Sequence, residues 1–313
     1  MFNDLGQAAL KNGQPMSVGR VDAPCPEWRP RLMEFLKHKG EEWRDHLGLA
    51  LESSLDELQS HFYVGLLQGS DDDFVCHIMV AESRGVGLLG HVFTQPEHRQ
   101  KGAIRALMST VIDDCAARGV RVISLNTVHD SPAYHIYAGF VFTSAVPGGG
   151  SMIREFEPGV TLSMLTPSTA RVRPLTWDDW PALNLLSIQP GLATVGPLEG
   201  LFIRYQLARM ADQRINGTAL VNRDGDTVGW STIAPSPNSG GMPTALGGHV
   251  AGDEWVLDAQ AAPHFQTYYD DLIGALTLPN ETVKAYSSGG PKADALIKAG
   301  FTQNEPATFV LAR

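Results

Sequence analysis

Three basic side chains, Arg99, Lys101 and Arg105, cluster around Gly102 in the stretch Val92-Phe93-Thr94-Gln95-Pro96-Glu97-His98-Arg99-Gln100-Lys101-Gly102-Ala103-Ile104-Arg105. Side chains of that kind bind anions. The residues before them read as the end of a strand, which Pro96 closes because it has no amide to donate. Those after them carry Ile104, Leu107, Met108, Val111, Ile112 and Cys115, the i, i+3, i+4, i+7 stripe of an amphipathic helix, and Gly119 sits at the expected C-terminal cap. A strand that turns through glycine into a helix aims free backbone N–H groups and the positive end of the helix dipole at one spot. A phosphate or diphosphate fits there. A solvated connection is the plainer alternative, and only spacing decides between the two.

The elements that must position this loop can be read in order. Glu27–Lys39 and about Glu41–Gln59 have helical apolar spacing, whereas residues 1–20 show no clear period. Phe62–Leu67 and Phe74–Ala81 read as strands around the turn Gly69-Ser70-Asp71-Asp72-Asp73, and Gly87–Thr94 as a third. Val120–Val128 is a nearly continuous apolar run, suited to a central strand buried on both faces. Asp130-Ser131-Pro132-Ala133 opens a short helix through Ile136 and Tyr137 to Gly139, with a polar cap and an early proline. Phe140–Ser144 and Met152–Phe156 close the set.

That order, and two stretches within it, resemble the GNAT N-acetyltransferase superfamily. The family's acyl-CoA pyrophosphate loop reads Arg or Gln, two residues, Gly, one residue, then Gly or Ala. Here Arg99-x-x-Gly102 matches, and Ile104 departs at the last position. Ser131-Pro132-Ala133, Tyr137 and Gly139-Phe140 look like the family's last motif, although only Ala138 separates Tyr137 from Gly139, shorter than usual. The resemblance implies a mixed α/β sheet with helices on both faces and a splayed middle. It implies acetyl-CoA as co-substrate, no metal, and direct attack by an amine on the thioester. On that footing the diphosphate meets Arg99, Gln100, Lys101, Gly102, Ala103, Ile104 and Arg105. The pantetheine arm pairs with Val92, Phe93 and Thr94. Tyr137, with Tyr134 second and His135 also open, donates a proton to the leaving thiolate. Glu82, His91, His129 and Asp130 are weak candidates for the base, and a water relay is an alternative.

Length and repetition extend this reading. A chain of 313 residues suits two domains. After a proline- and glycine-spotted stretch, 157–169, the plan recurs. It runs through a strand at Ala170–Leu175, helices at Asp178–Ile188 and Leu198–Arg214, and strands at Thr218–Asn222 and Thr227–Ile233 around Asp224-Gly225. A strand at Glu254–Ala259, a helix at Phe265–Leu276, a strand at Val283–Tyr286 and a helix at Lys292–Lys298 then lead to Gly300-Phe301. Gly139-Phe140 and Gly300-Phe301 stand 161 residues apart, and that offset sets Gln260-x-x-Pro263 against Arg99-x-x-Gly102. Proline there removes an amide and fixes φ. The expectation is residues 1–156 as the competent GNAT-like domain, 157–169 as linker, and 170–313 as a second GNAT-like domain lacking the pyrophosphate loop. That second domain could shape the acceptor pocket or support a homodimer.

Composition narrows the partners. A net charge of −10 argues against nucleic acid. No apolar run approaches the ~20 residues of a membrane span. Three widely spaced cysteines, Cys25, Cys76 and Cys115, suit reduced, buried residues of a cytoplasmic protein better than a disulfide frame or a metal site. The expected activity is N-acetyl transfer to a small-molecule or peptide amine. The competing classes are a non-catalytic acyl-CoA-binding sensor or regulatory module, and a structural partner of another acyltransferase.

Overall fold

The computed structural model describes residues 2–39, 41–67, 74–190, 216–235 and 254–312. The chain divides into two compact units, Met1–Val160 and Thr161–Arg313. The expected turn at 69–73 and the expected helix at 198–214 lie outside the described residues.

In the first unit eight strands form one sheet in the order β1-β2-β3-β4-β5-β6-β8-β7. They are β1 (Phe2–Ala9), β2 (Pro15–Asp22), β3 (Gln59–Leu67), β4 (Phe74–Ser83), β5 (Val86–Thr94), β6 (Val122–Asn126), β7 (Thr143–Ser144) and β8 (Ser151–Glu155). Helices α1 (Arg29–Phe35) and α2 (Glu41–Glu52) follow β2, α3 (Ala103–Ala117) follows β5, and α4 (Pro132–Ala138) follows β6. The hairpin of β1 and β2 is the main departure from the sequence reading. Its strands show no clean period because β1 is the half-exposed sheet edge. Pairing from Phe2↔Val21 to Ala9↔Pro15 orders it, and β2 continues onto β3.

Strand β4 is buried from Phe74 to Glu82 because both faces are covered, which accounts for its continuous apolar sequence. Helix α3 lays Leu107, Met108, Val111, Ile112 and Cys115 into the core with Tyr63, Ile78, Ile123 and Met152. Each such side chain contributes about 1.5–3 kcal/mol by leaving water.

The second unit repeats the plan. Its strands are β9 (Ala170–Pro174), β10 (Asn216–Asn222), β11 (Thr227–Pro235), β12 (Glu254–Ala261), β13 (Thr282–Tyr286), β14 (Thr302–Glu305) and β15 (Thr308–Leu311). They run β9-β10-β11-β12-β13-β15-β14, the order of β2 to β7 in the first unit. Among the described residues each sheet has one parallel pair, β5 with β6 and β12 with β13. Here α5 (Val160–Met164), α6 (Trp180–Ser187), α7 (Tyr269–Gly274) and α8 (Gly290–Lys298) complete the described helices. The two units are therefore tandem copies of one mixed α/β fold. The stretch expected as an irregular linker, 157–169, holds α5, whose Val160 and Met164 are buried.

Two expectations from the sequence do not hold. Gly139-Phe140 is not the counterpart of Gly300-Phe301. Val141 is, with φ +64, followed by the buried Phe142, as Gly300, with φ +95, is followed by the buried Phe301. The backbone agrees, since Phe142 N–H donates to Tyr137 O and Phe301 N–H to Leu296 O. The repeat offset is thus 159 residues. The proposed alignment of Gln260 and Pro263 with the anion loop also fails. Gln260 lies in β12 opposite Trp230, and Pro263 opens a 3-10 turn, Pro263–Tyr268. The two connections differ in backbone: the first holds two left-handed residues, Gln100 and Gly102, and residues 262–268 of the second hold none. Eight residues, 95–102, separate β5 from α3 and seven, 262–268, separate β12 from α7; a 3-10 turn opens both connections, and in the second unit it runs straight into the helix.

At the closed end of the first sheet a charged cluster is buried under the C-terminus of α3. Arg118 grips Glu82 with Nε–Oε1 3.0 Å and Nη2–Oε2 2.7 Å, and donates to Tyr63 Oη at 2.7 Å. Arg20 joins Asp22 and Asp114, each at 2.7 Å. The His61 ring lies between Asp22, at 2.5 Å, and Glu82, at 3.4 Å. Burial opposes ionisation of both carboxylates, yet bonds from Arg118 and His61 hold Glu82 at about 2, and bonds from His61 and Arg20 hold Asp22 at about 2. Because these folded-state values are depressed, their stabilisation is present above the ordinary carboxylate range and lost as pH falls from about 4.5 towards 2. Glu82 alone accounts for about 3 kcal/mol. Urea midpoints should hold from pH 7 to 5 and drop steeply below 4; a flat profile to pH 3 would contradict this.

Candidate active site

The parallel pairing of β5 with β6 covers only Val86–Leu88 against Val122–Ser124. Beyond Leu88 the strands fork. A bulge marks the same place: the β4–β5 register shifts between His77 and Met79, and His91 takes φ +50. A bulge bends a strand and increases its twist, which opens the fork. His77 Nδ1 bonds His91 O at 2.9 Å and pins the bulge from β4; burial drives His77 down to about 4, so it is neutral.

Val92, Phe93 and Thr94 form the open lip. Val92 packs towards the α3-side core, and its carbonyl accepts from Lys39 Nζ at 3.0 Å. Thr94 O accepts from Arg99 Nε at 3.1 Å, so Arg99 folds back along the strand, its guanidinium 5.8 Å from the Phe93 ring centre. A carbonyl oxygen has two lone pairs, so each retains one for a further donor.

Gln100, with φ +62, and Gly102, with φ +86, are both left-handed, and Gly102 caps α3. Gly102 O accepts the amides of Arg105 and Ala106, leaving the amides of Ala103 and Ile104 at the helix start without an intrahelical acceptor. The departure at Ile104 is absorbed, because its side chain packs on the core beside Leu107 instead of covering the loop. Arg105 runs to the end of α4, where its Nη1 would lie 3.1 Å from a Cβ on Gly139. The β1–β2 turn docks here too: Lys11 N–H donates to Lys101 O at 2.9 Å, and the Lys11 stem lies over Gly102. Nothing in the sequence pattern pointed to Lys11, because the contact is made across the sheet edge.

Tyr137 and Tyr134 sit on α4 but differ. Tyr137 is buried against Phe142, and burial pushes its hydroxyl up to about 12, so it carries its proton at neutral pH. Tyr134 Oη is 2.8 Å from Ser144 Oγ, which itself donates to Gly149 O, so the Tyr134 proton is committed to Ser144. Among the base candidates Glu82 is locked by Arg118 at the closed end, away from the fork. His135 and Asp130 pair with each other at 2.9 Å in the open.

On the α1 side of β5 lies a groove of about 520 Å³ lined by Arg31, Glu34, Phe35, Lys37, His38, Phe74, Phe93 and Gln95. His38 sits on Phe93, ring centres 3.8 Å apart, and partial burial with the nearby cations Lys39 and Arg99 lowers its pKa, keeping it neutral at pH 7. Sequence reading overlooked His38 because a histidine at a helix end carries no spacing signature.

The second fork contrasts with the first. Immediately past the pairing of β12 with β13, Asp258 meets Lys292 of α8, Oδ1 to Nζ 3.5 Å, and both are buried. Burial pushes Asp258 up and Lys292 down. Among the described residues no three His, Cys, Asp or Glu side chains are grouped to hold a metal ion, and no helix is long and apolar enough to cross a membrane.

Residues 23–140 match the sequence model of the acetyltransferase (GNAT) family. Solved structures similar to this chain include a tandem GNAT protein from the clavulanic acid biosynthesis pathway, at 11% identity over 94% of this chain and 97% of that one, TM-score 0.36. A GNAT-family N-acetyltransferase from Escherichia coli in complex with CoA matches at 14% identity over 49% of this chain and 85% of its own, TM-score 0.36. A GNAT-family acetyltransferase from Staphylococcus aureus matches at 14% identity over 45% and 99%, TM-score 0.34. No curated protein matches the sequence.

Proposed function

We propose that this chain, which belongs to the GNAT acetyltransferase family through its N-terminal unit, moves an acetyl group from acetyl-CoA to an amine by direct attack in the first fork. One observation carries the reading. The lip Val92–Thr94, paired with β4 but not with β6, and the amide-presenting start of α3 lie at consecutive ends of one strand–loop–helix, so one extended ligand can pair with the strand and place its diphosphate on the helix. Lys11, Lys101 and the Gly102–Ile104 amides hold the diphosphate, and the Val92–Thr94 backbone takes the pantetheine arm.

The amine nitrogen forms a bond to the acetyl carbon while the carbon–sulfur bond breaks and sulfur leaves with the electron pair. The amine must shed a proton, and the neutral His38 beside Phe93 is the base that the groove offers. Tyr137, protonated at neutral pH, supplies the hydrogen bond or proton that the thiolate needs. The second unit, whose strand–helix connection has no left-handed turn and whose fork holds Asp258 and Lys292, takes no part in the chemistry.

Thiol release from acetyl-CoA with a panel of amines tests this. Turnover is expected, with kcat lowered about tenfold in Tyr137→Phe, and with the acidic limb of the pH–rate profile lost in His38→Gln. Acetyl-CoA that binds without any thiol release would favour the sensor reading instead.

A further inference from the structure

The second fork gathers buried polar groups that the fold leaves unsatisfied. Thr232 of β11 pairs with Asp258 of β12, and Trp230 with Gln260, so these four side chains share one face of the sheet. It is the face away from α7, because Ser231, between them in β11, turns its hydroxyl to Leu272 O of that helix at 2.7 Å. Lys292 of α8 reaches Asp258 at the same place. All five residues are deeply buried: Trp230 and Thr232 are 1% exposed, Asp258 5%, Gln260 and Lys292 7%. Yet Trp230 Nε1 and Thr232 Oγ1 have no hydrogen-bond partner among the described residues. The Thr232 methyl stands 3.2 Å from the position of a Cβ on Gly217, so the methyl faces β10 and the hydroxyl is turned off that strand. The ion pair is loose as well. At 3.5 Å it exceeds the ~2.7–2.9 Å of a charge-assisted N–H···O bond.

Buried polar groups are ordinarily hydrogen-bonded, so two orphans beside a stretched buried ion pair mark a place where a further group belongs. The unmet capacity is on the donor side. An indole N–H only donates, an ammonium carries three donors of which Asp258 engages one, and a threonine hydroxyl can turn its hydrogen to either side. Such a set takes oxygen lone pairs and rejects a cation. A dianion would be opposed by the Asp258 carboxylate, which favours a single charge. Exposure below a tenth at every position limits the occupant to a few heavy atoms. We infer that the second fork is a binding site for a small monocarboxylate, whose oxygens take the Lys292 ammonium, the Trp230 indole N–H and the Thr232 hydroxyl. Burial already pushes Asp258 towards its neutral form, which eases the entry of the ligand's charge. Binding here is independent of acyl transfer in the first unit.

Indole N–H resonances of the full chain report on this site directly, with Trp230→Phe assigning its peak among the six tryptophans. Titration with acetate is expected to move the Trp230 peak downfield and to saturate in the millimolar range, the reach of a ligand of so few atoms. Acetamide, which keeps the shape without the charge, should bind roughly tenfold more weakly. Chloride at the same ionic strength should give no saturating shift. Lys292→Met should weaken acetate by roughly tenfold to a hundredfold, the loss of a charge-assisted bond. Thr232→Val keeps the side chain's shape and removes only the hydroxyl; it should weaken acetate severalfold, and it carries the test where Lys292→Met fails to fold. A Trp230 peak that stays still or drifts with salt alone would overturn the site, leaving ordered water as the partner of these groups. Acetamide binding as tightly as acetate would overturn the ligand class, and an unchanged affinity in Thr232→Val would overturn the assignment of the residues.

Discussion

Gly102→Pro is expected to weaken acetyl-CoA binding by about a hundredfold while leaving the far-UV signature of both units in place. Gly102 holds φ +86 at the cap of α3, a region proline cannot enter because its ring fixes φ near −65°. The substitution also deletes an amide at the point where the diphosphate is expected. Losing two charge-assisted hydrogen bonds at roughly 1.5 kcal/mol each gives the stated factor. Gly102→Ala separates the two causes. A Cβ there would lie 3.4 Å from the Lys11 stem, an ordinary contact, so alanine meets mainly the left-handed backbone and should cost only severalfold. Calorimetry on the three proteins decides the matter: one site in the parent, a weaker site in alanine and almost none in proline. An unchanged affinity in the proline variant would move the cofactor elsewhere, and two equivalent sites in the parent would mean that the second fork still binds.

The loop and α3 were legible in the sequence because their signals are local: a proline that stops a strand, a glycine before a helix, and a clean stripe from Ile104 to Cys115. The doubled fold was legible for the same reason, as a recurrence of strand and helix patterns. What escaped notice depends on contacts distant in sequence. β1 is half exposed, so its order comes from pairing with β2 and not from its own pattern. The Val141 error is instructive. Glycine is the usual occupant of a left-handed position, so Gly139 drew the alignment, yet Gly139 itself is helical at φ −65 and Val141 accepts the strained angle while Phe142 fills the core. With Val141 in that role, Tyr137 stands five residues before the buried Phe142, as Leu296 stands before Phe301. The short spacing that obscured Tyr137 disappears. The fork, the bulge at His91 and the groove with His38 and Arg31 are tertiary, and no period in the chain announces them.

The largest loss of stability is expected from Arg118→Met. Arg118 holds the buried Glu82 through both carboxylate oxygens and also meets Tyr63 and Asp114, so its removal leaves Glu82 without its main counter-charge, while Asp114 keeps Arg20. Breaking such a pair from one side typically costs 3–5 kcal/mol, because the orphaned charge must stay dry or be protonated. For a unit of this size that corresponds to a fall in Tm on the order of 10 °C. If the cost is the orphaned charge and not lost packing, then Arg118→Met with Glu82→Gln should recover much of it, and in the single variant Glu82 should titrate far above 2. A double variant no more stable than the single one would show that Arg118 acts by packing its stem. Because the cluster lies at the paired end of β5 and the cofactor lip at its open end, acetyl-CoA affinity of the folded Arg118→Met protein should change less than about threefold. The division has a physical basis: the ionic cluster ties β2, β3 and β4 to the C-terminus of α3, whereas β5 and β6 are joined by backbone pairing at Val86–Leu88 and part beyond it.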